Sequence, residues 1–296
     1  MAQKFLVSGE EVFLWRRESL SEAIASGIPT QELDWLLQEM ADLDALSLRL
    51  ASFRDRDVAL TCSFLELKML WERRIQERVP VQYLAQVTRW RDFKLMVAPG
   101  VLIPRPETEL IIEIAQRATC PESPRAHWVD LGTGTGAIAL GLTNIFPQAA
   151  IHAVDSSEVA LAIAKENAQL TKLQNRVTFH HGSWWQPISH LKGQITGMVS
   201  NPPYIPTQEL PTLQPEVFQH EPHLALDGGD DGLDAIRYLA QSAPNYLVSG
   251  GIWLIEMMAG QGAKVVNILS EQRDYRDIKI IQDLSQIERF VLAYRK

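Results

Sequence analysis

The tetrapeptide Asn201–Tyr204 combines residue types that suit recognition of a planar nitrogen group. It directly follows an apolar run from Gly197 to Ser200 that has the character of a buried strand. Each proline fixes its own φ and forces the preceding residue into an extended conformation, so Asn201 leaves the strand in a stiff arc. The side-chain oxygen of Asn201 and the backbone carbonyl of Pro202 can then face one point. Two acceptors at one point match the two N–H donors of an NH2 group.

This corner would supply orientation rather than a strong base. An amide nitrogen is a poor nucleophile because its lone pair is delocalised. Aiming it at an electrophile can contribute ~7 kcal/mol or more, and the acceptors also stabilise the positive charge that develops on nitrogen. Tyr204 offers a flat face on which an amide or a base can stack. The alternative interpretation is a simple turn after a strand, since N-P and P-P are ordinary loop dipeptides.

A second candidate site is the segment "VDLGTGTGAIAL", which places Gly132, Gly134 and Gly136 between a predicted strand and a predicted helix. Glycines let the backbone turn tightly and approach a ligand, and the helix behind them begins with unpaired N–H groups. Asp155 ends the next strand, where a carboxylate can accept both hydroxyls of a ribose. The pattern predicts a site for a nucleoside-bearing cofactor. The same glycines with Ala137 also satisfy the looser dinucleotide fingerprint, and a tight turn without a ligand is a further alternative.

These two sites require a sheet that brings strand ends together. From residue 108 onward, helical and strand patterns alternate, which predicts a mostly parallel, doubly wound α/β sheet. The last two strands have no room for a helix between them, so they form a C-terminal hairpin with one antiparallel edge strand. The seven predicted strands lie in the segments HWVDLG, AAIHAVD, VTFHHG, GMVSN, GGIWLIEM, IKIIQDL and ERFVLAYR.

The first part of the chain has a different pattern. Residues 1–79 contain a single proline, Pro29, and helical spacing recurs there. One example is the series Leu33, Leu36, Leu37 and Met40. After Pro80 the segment RDFKLMVAPG alternates polar and apolar residues, as a half-buried strand does. We predict a small all-helical domain over 1–82, a β-hairpin linker over 83–103, and the α/β domain over 104–296.

Composition limits the partners. There are 28 basic and 36 acidic residues, a net charge of −8, which argues against nucleic acid as the main partner. No apolar stretch is long enough for a membrane span, and the N-terminus lacks a signal-peptide pattern. Cys62 and Cys120 have no paired spacing, and the adjacent His180 and His181 would point to opposite faces of a strand. We expect a cytoplasmic protein without a metal site.

The motifs together resemble a known family. "VDLGTGTG", Asp155 and "NPPY" after the fourth strand are similar to class I S-adenosylmethionine-dependent methyltransferases, which have a Rossmann-like seven-stranded domain. "VPVQYL", "PGVLIPRPETE", "VSNPPYIP" and "EPHLALDGGDDGL" are similar to the peptide chain release factor glutamine N5-methyltransferases. The resemblance runs from about residue 75 to the C-terminus. It implies methylation of the glutamine in the Gly-Gly-Gln motif of class 1 release factors.

The resemblance also implies roles for individual residues. The S-adenosylmethionine site would comprise Gly132, Thr133, Gly134, Thr135, Gly136, Asp155, Trp184 and Asn201, with Trp184 near the adenine. The target glutamine would be held by Asn201, Pro202, Pro203 and Tyr204, and catalysis would depend on Asn201, Pro202 and Tyr204. The 1–82 domain would recognise the substrate, and the enzyme would act as a monomer. "IPRPETE" would lie beside the active-site mouth.

The sequence departs from the family pattern at two places near the site. Ser183 stands where an aspartate commonly precedes the tryptophan, and Met257 and Met258 follow Glu256 where the family has "EIG". Three other functions stay open: a ribosomal-protein glutamine methyltransferase, a DNA adenine-N6 methyltransferase, and a non-enzymatic nucleotide-binding module. A basic strip from Arg73 to Lys94 is either a solvated surface or a docking surface for an acidic partner.

Overall fold

The computed structural model describes residues 4–119 and 126–296, so Cys120 lies outside the described residues. The described chain divides into two compact units. One extends to Val87 and also includes Pro215–His220, and the other comprises Thr88–Gln214 and Glu221–Lys296. No helix within 4–119 or 126–296 is long and apolar enough to cross a membrane.

The first unit is built mainly from helices around an apolar core. Leu33, Leu36 and Leu37 are fully buried on one face of a helix, as their spacing predicts, and Trp71 packs into the same core. The elements in chain order are β1 (Phe5–Ser8), α1 (Gly9–Ala25), α2 (Gln31–Met40), α3 (Ala45–Leu50), β2 (Asp57–Leu60), α4 (Phe64–Gln76) and α5 (Val81–Ala85).

Two features of this unit correct the sequence predictions. The N-terminal part is not all-helical, because β1 and β2 pair as an antiparallel ribbon. Four residues per strand are too few for a clear two-residue period, and the pairing partners lie some fifty positions apart. Within the basic strip, Arg74 does not belong to an exposed cationic surface, because it is only 2% exposed and pairs with Glu32 and Glu216.

The second unit contains a seven-stranded sheet with helices on both sides. A separate two-stranded sheet, β3–β4, lies within the predicted 83–103 segment. The elements, continuing in chain order, are β3 (Val87–Trp90), β4 (Phe93–Met96), α6 (Leu110–Ala118), β5 (His127–Leu131), α7 (Ala137–Ile145), β6 (Ala150–Asp155), α8 (Glu158–Leu170), β7 (Val177–His181), β8 (Ile195–Ser200), α9 (Pro215–His220, part of the first unit), α10 (Asp234–Ser242), β9 (Leu247–Glu256), α11 (Gly262–Gln272), β10 (Tyr275–Gln282) and β11 (Glu288–Arg295).

Short 3-10 helices occupy several of the connections. They span Pro106–Glu109, Gln186–Leu191, Thr207–Thr212, His223–Ala225 and Ala243–Asn245.

The strand order is β10-β11-β9-β8-β5-β6-β7. The pairs among β5, β6, β7, β8 and β9 are parallel, and β11 is antiparallel to both of its neighbours. The α/β sheet and its C-terminal hairpin are therefore confirmed. The placement of the antiparallel strand at the edge is wrong, because β11 lies between β9 and β10. The four residues from Phe290 to Ala293 are all buried, whereas β10 alternates with exposed polar residues. The more apolar strand takes the interior position.

Both faces of the sheet are covered, as a doubly wound arrangement requires. Successive residues of one strand belong to different apolar cores: Trp128 packs on one face, and Val129 packs on the other. At Gly197 the sheet backbone passes directly over the Trp128 ring, and a Cβ there would lie 2.4 Å from it. This close approach explains why β8 has glycine at position 197.

The strand order reverses at β5, which lies between β6 and β8. The chain runs from β5 to β7 on one side and then crosses to β8 and β9 on the other. In open α/β sheets such a switch point leaves a crevice at the carboxyl ends of the strands. The glycine loop follows β5 and the tetrapeptide follows β8. Sheet topology therefore brings the two predicted sites to one crevice.

Candidate functional site

The glycine loop turns sharply between β5 and α7. Gly132, Gly134 and Gly136 all have positive φ, at 77°, 55° and 84°, a region that favours glycine. The N–H groups of Gly132 and Thr133 donate to the Val154 carbonyl at 2.9 and 3.0 Å. Gly136 is the N-cap of α7. The loop is thus tied to the end of β6.

Two carboxylates, the buried Asp130 and the half-buried Asp155, hold this loop by hydrogen bonds. Asp130 accepts from the Thr133 hydroxyl at 2.6 Å and from the Ala139 N–H at 3.1 Å. Asp155 accepts from the N–H groups of Gly134 and Ser157, both at 2.8 Å. Burial raises the pKa of Asp130 to about 7 and also raises that of Asp155. Because each carboxylate oxygen has two lone pairs, Asp155 keeps acceptor capacity for a ligand after it binds the loop.

A cavity of about 270 Å³ lies beside the loop. Trp184 lines it with a φ of 49°, an uncommon backbone conformation for a bulky residue. Ser183 also lines the cavity. Of the predicted site residues, the lining includes Gly132, Thr133, Gly134, Thr135, Asp155, Trp184, Asn201 and Pro203. Among the described residues, the lining does not include Gly136, Pro202 or Tyr204.

The tetrapeptide leaves β8 at the edge of the same cavity. The Ser200 hydroxyl donates to the Leu131 carbonyl at 2.6 Å, which joins the last residues of β8 and β5. Asn201 is half-buried and Pro202 is buried. The backbone carbonyl of Tyr204 accepts from the Gln261 side chain at 3.0 Å. The corner is therefore fixed at both of its ends.

The "GGDDG" segment packs against this corner. Ile205 exchanges backbone hydrogen bonds with Leu226 and Gly228, at 2.9 and 2.8 Å. A Cβ on Gly232 would lie 2.3 Å from the Tyr204 carbonyl, and its φ is 74°. Only glycine fits there without displacing the tetrapeptide, which gives a physical reason for the glycine-rich segment.

The sequence did not predict a site role for three residues: Thr108, Glu256 and Gln261. The Tyr204 hydroxyl donates to Glu256 at 3.0 Å, and the Thr108 hydroxyl donates to the other Glu256 oxygen at 2.6 Å. Burial raises the pKa of Glu256 to about 7 and raises that of Tyr204. One feature of the sequence could have indicated Glu256. It is the last residue of β9, which lies next to β8, so it lies near the tetrapeptide that follows β8.

The mouth of the cavity includes Arg105 of "IPRPETE". Its guanidinium pairs with the carboxylate of Glu221, at 2.7 and 2.9 Å. Glu221 is 5% exposed, and burial raises its pKa. The residues after it, Pro222 and Leu224, also line the cavity. The ion pair therefore anchors one wall of the mouth.

Comparison with known proteins identifies the family. The family model "Methyltransferase small domain" matches residues 108–229. The release factor glutamine methyltransferase of Synechocystis sp. is 56% identical over 293 residues, which cover 98% of this chain and 98% of that protein. The chain belongs to the release factor glutamine methyltransferase family. Proteins of the same name from Thermosynechococcus vestitus and Gloeobacter violaceus are 48% and 42% identical, covering 89% and 95% of this chain and 90% and 96% of theirs.

Family membership confirms the predicted enzyme class and implies, for class I methyltransferases generally, the use of S-adenosylmethionine. The cavity can be tested for its fit to this cofactor. A Cβ on Gly132 would stand 3.8 Å from the Trp184 ring and 4.0 Å from the Asn201 carbonyl, so the missing side chain is what leaves the space between them open. The open gap, the Asp155 carboxylate and the indole suit the sulfonium-bearing chain, the ribose and the adenine. The residues present fit the cofactor.

Proposed function

We propose that this protein transfers a methyl group from S-adenosylmethionine to the side-chain N5 nitrogen of the glutamine in the Gly-Gly-Gln motif of class 1 release factors. The observation that carries the proposal is one shared cavity. The glycine loop, Asp155 and the half-buried Asn201 all line it. Family membership supports the same reaction.

The cofactor would be held by the loop from Gly132 to Gly136, by Asp155 and by Trp184. Asn201 would lie beside both the cofactor and the substrate. When bound, S-adenosylmethionine supplies an electrophilic methyl group that a weak nucleophile can attack. The loop is fixed by carboxylate contacts on both sides, so the protein is organised before the cofactor arrives. A preorganised site need not reorganise at the moment of reaction.

The substrate amide would donate its two N–H groups to the Asn201 side-chain oxygen and the Pro202 carbonyl. Proline at 202 and 203 removes two backbone donors that would otherwise compete for these acceptors. The acceptors align the nitrogen and stabilise the positive charge that develops on it, so the proton can leave after methyl transfer. Tyr204 would contribute its ring. Its hydroxyl is engaged by Glu256, and its raised pKa keeps it protonated, which argues against a role as the base.

The wider assignments stay predictions. They comprise substrate docking on the 1–82 segment, the 83–103 and 104–296 boundaries, a monomeric enzyme, the lack of stable nucleic-acid binding, and a cytoplasmic location. The pairing of Arg74 inside the first unit weakens the idea of a basic docking strip there. An acidic net charge favours a protein substrate over DNA.

The test is a methyl-transfer assay with labelled cofactor and three substrates: a class 1 release factor, a ribosomal-protein fraction, and adenine-containing DNA. A release factor whose motif reads Gly-Gly-Glu is the matched control, because it lacks the amide and keeps the shape. We expect label only in the Gly-Gly-Gln protein. Label in the Gly-Gly-Glu control, in DNA or in ribosomal protein alone would refute the proposal.

A further inference from the structure

The buried carboxylate of Glu256 accepts hydrogen bonds from two hydroxyl groups. Glu256 has no exposed surface. Its two oxygens accept from Thr108 at 2.6 Å and from Tyr204 at 3.0 Å. An ionised carboxylate can only accept, and each hydroxyl has a single hydrogen. When Glu256 is ionised, both hydroxyl hydrogens are therefore committed to it.

The hydrogen bond to Glu256 determines whether the Thr108 hydroxyl donates to Asn201 or accepts from it. The amide nitrogen of Asn201 lies 3.4 Å from the Thr108 hydroxyl oxygen. Because that oxygen has no hydrogen left to donate, it can only accept there. The NH2 end of the Asn201 side chain is then the end that faces Thr108. The oxygen end diverges from it, as the planar geometry of an amide requires.

We propose that Glu256 is a positioning residue. Through Thr108 it fixes the orientation of the Asn201 side-chain amide, and through its hydrogen bond to the Tyr204 hydroxyl it fixes the position of the Tyr204 ring. The inference rests on the proposed function, since it is the Asn201 oxygen that would accept from the substrate glutamine. A flipped Asn201 would present N–H donors to the donors of the substrate. The hydrogen-bonded chain from Glu256 through Thr108 to Asn201, which we call the relay, disfavours that orientation.

A purely structural role explains this arrangement less well. Burying a carboxylate is costly, and a neutral or apolar side chain could fill the same space at less cost. The charges that face Glu256 are Glu107, which raises its pKa, and Arg289, which lowers it. Glutamine would offer one oxygen acceptor and one NH2 donor, so it could not accept from both hydroxyls. Of these two side chains of equal length, only the ionised carboxylate accepts from both hydroxyls.

The decisive comparison is Thr108→Val against Thr108→Ser. Thr108 is 4% exposed, and valine matches its volume while removing the hydroxyl. Serine keeps the hydroxyl and removes a methyl group. We expect Thr108→Val to lower kcat on the release factor about 10- to 100-fold, since small misplacements near a reacting group have effects of this size. Thr108→Ser should stay within about twofold of wild type, and the Kd for S-adenosylmethionine should be unchanged in both.

A second variant tests the connection to Glu256. Glu256→Gln should lower kcat as well, and the double variant with Thr108→Val should be no slower than the slower single variant, because both act on one relay. Independent multiplication of the two effects would overturn the proposal. So would wild-type kcat in Thr108→Val, or equal losses in the valine and serine variants. A wild-type enzyme that fails to methylate the release factor would refute the proposed function itself, whereas an active Thr108→Val variant would refute only the positioning role.

Discussion

Asp155→Asn should weaken binding of S-adenosylmethionine while leaving the fold intact. The two oxygens of Asp155 accept from the N–H groups of Gly134 and Ser157 at 2.8 Å each. Asparagine keeps one of these acceptors and turns an NH2 group toward the other donor, so the glycine loop loses a contact and the ribose loses a charged acceptor. A hydrogen bond to a charged group contributes about 1.5–3 kcal/mol. The Kd should therefore rise about 10- to 150-fold.

The assay is titration calorimetry with S-adenosylmethionine, together with kcat at saturating cofactor. Because ribose binding is the same in the ground and transition states, kcat should change little. Burial raises the pKa of Asp155, so loss of the charge offsets part of the lost loop contact, and the fold should be retained. Asp283→Asn is the matched control: Asp283 also accepts two backbone N–H groups, in the turn before β11, outside the cavity lining. An unchanged Kd in Asp155→Asn, or an equal change in both variants, would refute this account of the cofactor site.

Three further predictions concern backbone contacts and buried charge. Gly197→Ala should lower the free energy of unfolding by about 1–3 kcal/mol in urea titrations, because its Cβ would meet the indole beneath it at 2.4 Å; an unchanged midpoint would contradict that packing. Gly232→Ala should lower kcat about tenfold or more by displacing the Tyr204 carbonyl, whereas Gly260→Ala, also at positive φ but with nothing within 4 Å of its Cβ, should not. The folded-state pKa of Asp130, about 7, lies above its unfolded value of about 3.9, so its contribution to stability is present at low pH and lost as the pH rises toward 7. The unfolding free energy of wild type relative to Asp130→Asn should therefore fall between about pH 4 and about pH 7 and then level off, and parallel pH profiles would refute the assignment.

Much of the architecture was predictable because its signals are local. The alternation of helix and strand patterns predicts the doubly wound sheet, and the glycine loop and tetrapeptide each follow a strand. Topology then places Gly132 and Asn201 at one cavity, because β5 and β8 are neighbours at the switch point. The motifs were sufficient to identify the methyltransferase family, which the comparisons confirm.

The parts that were not predicted depend on long-range pairing. The ribbon of β1 and β2 joins strands of four residues separated by about fifty positions, so neither has a local signal. The interior position of β11 follows from its greater burial relative to β10. Thr108 and Glu256 are 148 positions apart, and their contact exists only once the 3-10 helix Pro106–Glu109 lies against the end of β9. A titratable side chain at the end of a strand beside the tetrapeptide was the one available indication of Glu256.

The most direct test of the central claim is the mass of the Gly-Gly-Gln peptide of release factors, measured in cells that contain this protein, lack it, or carry Asn201→Ala. The account predicts a peptide heavier by one methyl group on the glutamine only when the wild-type protein is present. The Asn201→Ala strain should match the deletion strain. A methylated glutamine in cells without the protein, or full methylation by Asn201→Ala, would contradict the claim that this corner of the sheet aligns the substrate amide for methyl transfer.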